Sequence, residues 1–180
     1  MHNKNNEKER LQVLLKENET DYANSIYLNP IKEYIDLKRN KKEKEIFFKN
    51  TPVCIGIASE IPNKGDWFTV QLIDTPILVV RKNTGEISAY LNICTHRGAK
   101  IAKDKGQKAY SFKCPYHSWV YNLEGQLIGR PREKAFSKIP KENCSLKEIK
   151  IHNNKGFLWI TLNSKASKKY KKGLNDLKSM

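Results

Sequence analysis

The chain has 180 residues, 38% of them apolar, and its 34 basic against 19 acidic residues give a net charge of +15. That length suits one domain with extensions and is enough to bury a core, while no run approaches the roughly eighteen apolar residues of a membrane span. Residues 1–6 run straight into charged residues, without the apolar stretch of about 7–15 residues that marks a signal peptide, so the expectation is a soluble, cytoplasmic protein.

In chain order, residues 1–6 are expected to be disordered. Leu11, Leu14 and Leu15 then fall at helical spacing between Glu7 and Asn18, with Glu7 and Glu9 at the positive end of the helix dipole. Asn29-Pro30 reads as an N-cap followed by proline at the first helical position. Ile31, Tyr34, Ile35 and Leu37 form an apolar stripe, which either continues or breaks at Asn40 and resumes over 43–48. These one or two helices are expected to pack on the domain that follows; the other reading is a partly ordered arm. Basic runs at 38–42 and 165–172 read as solvated faces or tails. They lack the interleaved aromatic residues of a single-strand binder, and neither nucleic acid nor a membrane is expected as a partner.

A β domain is expected from near Pro52. Residues 53–59 are apolar and end in the turn Pro62-Asn63-Lys64-Gly65. Residues 67–72 alternate, with Phe68, Val70 and Leu72 on one face. Residues 77–80 are wholly apolar, as in a strand buried on both sides. Asn83-Thr84-Gly85 is a hairpin turn, and 87–91 returns toward Cys94. Ser111 and Phe112 lead into Cys114. Residues 119–121 pair with 126–128 through Glu124-Gly125, and 157–162 is the last strong strand. Short strands punctuated by turns indicate a mainly β fold. Cys54, in an apolar run, reads as a small buried hydrophobe, and Cys144 has no evident role. A disulfide between these two is disfavoured in a reducing compartment. His2 reads as a tail residue, and His152, beside Asn153-Asn154, as the mark of a turn.

The chemistry concentrates in two short stretches, Cys94-Thr95-His96-Arg97-Gly98 and Cys114-Pro115-Tyr116-His117-Ser118-Trp119, separated so that Cys-x-His and Cys-x-x-His lie seventeen residues apart. Thiolate and imidazole both suit iron and zinc. Zinc fingers usually pair like with like, whereas here each arm offers one thiol and one imidazole. That division is what a cluster needs when one iron takes two Cys and the other two His. The one-residue gap in the first arm is too tight for a helix, and Pro115 keeps the second arm out of helix and strand. A mixed zinc module remains the alternative.

Together the two stretches resemble the Rieske domain of the ring-hydroxylating (Rieske non-haem iron) oxygenase large subunit. Flanking residues extend the likeness over about 30–163, through Ile57-Ala58-Ser59-Glu60-Ile61-Pro62 and Ile77-Leu78-Val79-Val80-Arg81 before the first arm and Tyr121-Asn122-Leu123-Glu124-Gly125 after the second. The resemblance implies a Rieske-type antiparallel β-sandwich with a cluster-binding subdomain, preceded by one or two helices. The implied organisation is a helical extension over 1–50, a Rieske [2Fe–2S] domain over 51–163 and a basic tail over 164–180. It further implies one [2Fe–2S] cluster on Cys94, His96, Cys114 and His117, with backbone amides around both arms donating to its sulfides, Gly98 allowing close approach, and Trp119 packed beneath. Arg97 either steadies a loop or faces a partner, and Pro131 is expected in a third, shielding loop.

Two ferric ions, two sulfides and two thiolates sum to zero charge. An all-Cys cluster starts two charges more negative and is harder to reduce, so imidazole ligands raise the potential into a range of roughly −150 to +300 mV. Rieske proteins of the respiratory complexes carry a disulfide across the two loops. Ala99 or its neighbours and Tyr116 stand at the corresponding places, so a potential near the lower end is expected.

In the resembled oxygenases a second domain binds a mononuclear iron through two His and a carboxylate. After His117 only His152 remains, so the chain is not expected to assemble that iron itself. The function expected is one-electron transfer as the Rieske module of such an oxidoreductase, with a reductase or ferredoxin as donor and a mononuclear-iron oxygenase domain or subunit as acceptor. A free-standing Rieske ferredoxin is the alternative.

Overall fold

The computed structural model describes residues 4–20, 22–163 and 165, and the chain falls into two compact units, Met1–Asp36 and Leu37–Met180. In the first unit, α1 spans Lys4–Glu17 and α2 spans Lys32–Ile35. Glu7 in the first turn of α1 and Lys16 in the last complement the helix dipole. The helix therefore starts at Lys4, where disorder through residue 6 was expected; residues 1–3 lie outside the described residues, as does most of the expected basic tail. Asn29-Pro30 does not open α2. Ile31 holds the N-cap place without a side-chain cap.

The second unit begins with α3 (Leu37–Glu43), which runs into one π-helical turn at Lys44–Phe48. The helical run breaks at Asp36, which is extended at ψ 109, and Asn40 lies within α3. The chain after the turn is tied to the end of the domain. Asn163 donates its amide to the Lys49 carbonyl at 2.9 Å and its Nδ2 to Asn50 Oδ1 at 2.7 Å.

Among the described residues, eleven strands, all paired antiparallel, make three sheets. They are β1 (Val53–Ile57), β2 (Trp67–Leu72), β3 (Thr75–Arg81), β4 (Ile87–Leu91), β5 (Lys105–Gly106), β6 (Ser111–Lys113), β7 (Val120–Asn122), β8 (Leu127–Gly129), β9 (Glu148–Ile149), β10 (Ile151–Asn154) and β11 (Phe157–Ile160). The sheet orders are β1-β11-β10, β5-β2-β3-β4-β9 and β6-β7-β8. The fold is mainly antiparallel β, as expected. Three of the strands, β5, β9 and β10, went unanticipated; two of them are two-residue edges. His152 lies within β10 opposite Trp159, and the turn falls beyond it, at Lys155-Gly156.

β3 explains how one five-stranded sheet serves two cores. Successive side chains of a strand point to opposite faces. Leu78 and Val80 join the core that also contains Cys94, Cys114, Trp119 and Tyr121, while Ile77 and Val79 join a second core with Phe68, Leu158 and Ile160. All four are fully buried, which is why the run is apolar without alternation. The first core lies directly beneath the two Cys-His arms.

Two buried polar residues fix the approach to those arms. Asn92, 2% exposed, follows β4. Its Oδ1 accepts from the amides of Ile101 and Ala102, both at 3.1 Å, and its Nδ2 donates to the Ala102 carbonyl at 2.8 Å. It thus staples the exit of the first arm to its entry. Asp66, 1% exposed, accepts from the Asn63 amide at 2.9 Å and the Lys108 amide at 3.2 Å. The Asn63 amide holds its carboxyl below the usual 3.8 against the opposing effect of burial, with help from Lys108.

Asn92→Ala leaves three buried backbone groups unpaired and is expected to cost about 2–4 kcal/mol, read as a lower urea midpoint. The lowered Asp66 value means its contribution is present above pH 3.8 and is lost as pH falls through the folded value. Asp66→Asn should flatten the acid limb of a stability–pH curve and leave the slope at neutral pH unchanged.

Candidate metal centre

The two arms close on themselves in the same way. In the first, the Gly98 amide donates to the Cys94 carbonyl at 2.9 Å and the Cys94 amide to the Ala99 carbonyl at 2.8 Å. In the second, the Ser118 amide donates to the Cys114 carbonyl at 3.0 Å and the Cys114 amide to the Trp119 carbonyl at 2.7 Å. Each turn needs a left-handed residue four places after its cysteine, Gly98 at φ +75 and Ser118 at φ +57. A Cβ on Gly98 would meet nothing closer than 4.0 Å, so among the described residues the position needs its φ rather than a close approach. The first arm hangs from β4, and the second is the β6–β7 connection.

Folding brings all four predicted residues together. Cys94 and Cys114 are buried free thiols, 2% and 1% exposed. The His96 and His117 rings stand with centroids 4.7 Å apart. Both Nδ1 atoms are buried and have no hydrogen-bond partner. Buried polar nitrogens are rarely left so, and a pair of them on adjacent rings fits the donor atoms of a metal centre. Among the described residues, no three His, Cys, Asp or Glu side chains gather as ligands of one ion. A thiol pair and an imidazole pair instead suit two metals bridged in a cluster.

Electrostatics agree with that reading. Burial pushes the Cys94 thiol up, opposed by hydrogen bonds from Tyr121 and the His96 amide, and the Cys114 thiol beside it adds to the rise. Burial pushes His96 down, followed by His117 and the Arg97 charge. Both shifts favour the uncharged forms of Cys94 and His96; a ferric core held here would supply the positive charge that favours a thiolate, and a neutral imidazole is the form that binds a metal.

The surroundings are aromatic on one side. His96 stacks on buried Trp119 at 4.8 Å and 5°, which places Trp119 beneath the arms as packing. Phe136 meets His96 edge-on at 5.7 Å. His117 instead has Tyr116 at 3.8 Å, and Tyr116 is 60% exposed. A third loop after β8 is present, but Pro131 in it is exposed and the ring that touches the site is Phe136. Arg97 is exposed.

The reading of the sequence missed Tyr121. Its hydroxyl, wholly buried, lies 3.3 Å from Cys94 Sγ, accepts from the Thr95 amide at 3.2 Å and touches Thr95 Oγ1 at 3.0 Å. Thr95 Oγ1 in turn donates to the Cys144 carbonyl at 2.7 Å, the role that Cys144's segment plays. The signal available was alternation in Val120-Tyr121-Asn122, which turns Tyr121 inward.

Comparison with known proteins accords with this geometry. The family model described as Rieske [2Fe-2S] domain matches residues 51–150. The chain is 34% identical over 134 residues to biphenyl 2,3-dioxygenase subunit alpha of Rhodococcus jostii, covering 74% of this chain and 29% of that one. It is 35% identical over 115 residues to the glycine betaine monooxygenase oxygenase subunit of Chromohalobacter salexigens, covering 64% and 26%. Among solved structures, the quaternary ammonium Rieske monooxygenase CntA superposes with a TM-score of 0.69 at 28% identity, over 74% of this chain and 37% of that one. The chain thus spans roughly a third of the length of the proteins it matches.

Tyr121→Phe removes one hydrogen bond that strengthens as the thiolate environment gains negative charge. It is expected to lower the midpoint potential of the cluster-loaded protein by on the order of 50 mV in a redox titration.

Proposed function

The chain belongs to the family of Rieske [2Fe–2S] domains, and from that premise we propose that Cys94 and Cys114 hold one iron and His96 and His117 the other. A domain of this family binds one Rieske-type cluster, and this chain is homologous to the Rieske module of oxygenase α subunits, which mediates electron transfer. The single observation that carries the ligand assignment is the pair of buried, partnerless Nδ1 atoms on neighbouring imidazoles, set above a pair of buried free thiols. Residues 51–163 serve as the cluster domain, with 1–50 and 164–180 as extensions.

When bound, the cluster accepts and releases one electron. The residues of this chain set the terms. The Tyr121 hydroxyl and the His96 amide donate toward Cys94, favouring the more negative state. Trp119 and Phe136 pack against the His96 ring. His117, beside exposed Tyr116, offers the edge at which a partner comes within electron-transfer reach. The absence of cysteine at Ala99 and Tyr116 leaves both arms without a bridging disulfide, and all four cysteines are free. The electron's source is a reductase or ferredoxin. Its destination is a mononuclear-iron oxygenase domain or subunit, a reading supported by the likeness to oxygenase subunits. Among the described residues, no helix is long and apolar enough to cross a membrane.

Anaerobic reconstitution should give two iron and two acid-labile sulfide per chain, with a paramagnetic resonance signal after dithionite reduction. The midpoint is expected near the lower end of the range of about −150 to +300 mV. His96→Ser or His117→Ser should abolish or alter the red-brown colour. A colourless protein carrying one zinc would overturn the ligand assignment, and a midpoint well into positive millivolts would overturn the low-potential expectation.

A further inference from the structure

The side of the site that carries His96 is closed by a segment with little regular structure. Between β8 and β9 the chain makes only two short 3₁₀ turns, Glu133–Phe136 and Lys141–Cys144. Most of its residues are exposed, yet Phe136 is held edge-on against both His96, at 5.7 Å, and Trp119, at 5.4 Å. Such a segment does not fix a ring by its own propensity; something must grip it.

Arg130 does so. Its side chain is only 3% exposed. Nε and Nη2 donate to Glu133 Oε1 at 3.1 and 2.8 Å, and Nη2 also reaches the carbonyls of Phe136 at 3.2 Å and Ile139 at 2.8 Å. The guanidinium carbon lies 5.3 Å from the Phe136 ring centroid. One planar fork therefore binds the first and last residues of the first turn and Ile139 just beyond it, and lies near the Phe136 ring. Lys141 adds an outer contact to Glu133 Oε2 at 3.3 Å, and the Thr95 hydroxyl anchors the far end through the Cys144 carbonyl at 2.7 Å.

We propose that Arg130 is a positioning residue: its fork latches the 130–144 segment so that Phe136 covers the His96 side of the cluster against water. This rests on the ligand assignment above. Its consequence has a definite sign. Reduction takes the cluster from neutral to one negative charge, and water stabilises the charged state. Loosening the latch should therefore raise the midpoint and hasten loss of the cluster. Removing the arginine's positive charge would act in the opposite direction on the potential, so the informative variant keeps the charge and loses the fork.

Arg130→Lys, Phe136→Ala and the double variant, with Phe136→Leu as a milder substitute, are to be compared with wild type as loaded proteins. The readouts are midpoint potential, rate of iron loss to a chelator, amide hydrogen exchange over 133–144, and urea midpoint. Arg130→Lys and Phe136→Ala should each shift the potential upward and speed iron loss by roughly tenfold, the order that one lost charge-assisted contact gives in a local opening equilibrium. Exchange over the segment should rise, and the double variant should go no further than the stronger single one, because both changes undo one contact. Unchanged potential and iron loss, additive effects, or iron loss that follows only global stability would overturn the latch. A wild type without inorganic sulfide would overturn the proposed function as well; a loaded wild type with indifferent variants would overturn the latch alone.

Discussion

The site depends on one backbone device used twice. Each arm turns back within five residues, with the cysteine carbonyl accepting from the fourth residue on and the cysteine amide donating to the fifth. Because Gly98 and Ser118 both take the left-handed conformation, the two turns present sulfur and nitrogen in matching order. Opposed across a small gap, two matching turns bring thiol to thiol and imidazole to imidazole. The pairing of thiol with thiol and of ring with ring then follows from the backbone.

A rigid floor keeps the turns opposed. β3 contributes Leu78 and Val80 to the core beneath them, while Ile77 and Val79 bind the same strand to the second core. The Asn92 amide group, satisfied on three sides by residues 101 and 102, fixes the first turn to its own exit. Burial disfavours the charged forms of Cys94 and His96, so the same packing that shapes the site also suits it to a cationic core.

The two imidazoles do not see equal surroundings. His96 lies between Trp119 and Phe136, under a segment gripped by a buried arginine, whereas His117 lies against an exposed tyrosine. The difference lies in which aromatic rings pack on each imidazole, two from buried or half-buried residues on His96 and one from an exposed residue on His117. Similarity to oxygenase subunits concerns this module, and the chain spans 29% of the biphenyl 2,3-dioxygenase subunit and 26% of the glycine betaine monooxygenase subunit.

The four candidate ligands, the hairpins at Gly85 and Gly125, and the doubly buried β3 were legible in the sequence. Each is local, set by a side chain's donor atoms, a glycine's φ or a strand's period of two. The start of α2, the break at Asp36 and the two-residue edge strands were not legible, because short elements are decided by what they pair with. Tyr121, Arg130 and Phe136 were out of reach for a stronger reason. Tyr121 meets Cys94 across twenty-seven positions of sequence, and Phe136, whose carbonyl accepts from a guanidinium six residues earlier, meets His96 across forty. The sequence by itself determined which atoms can bind a cluster. Tertiary structure decided which of them face one another, which are dry and which are open, since those properties belong to the space between segments and not to any one of them.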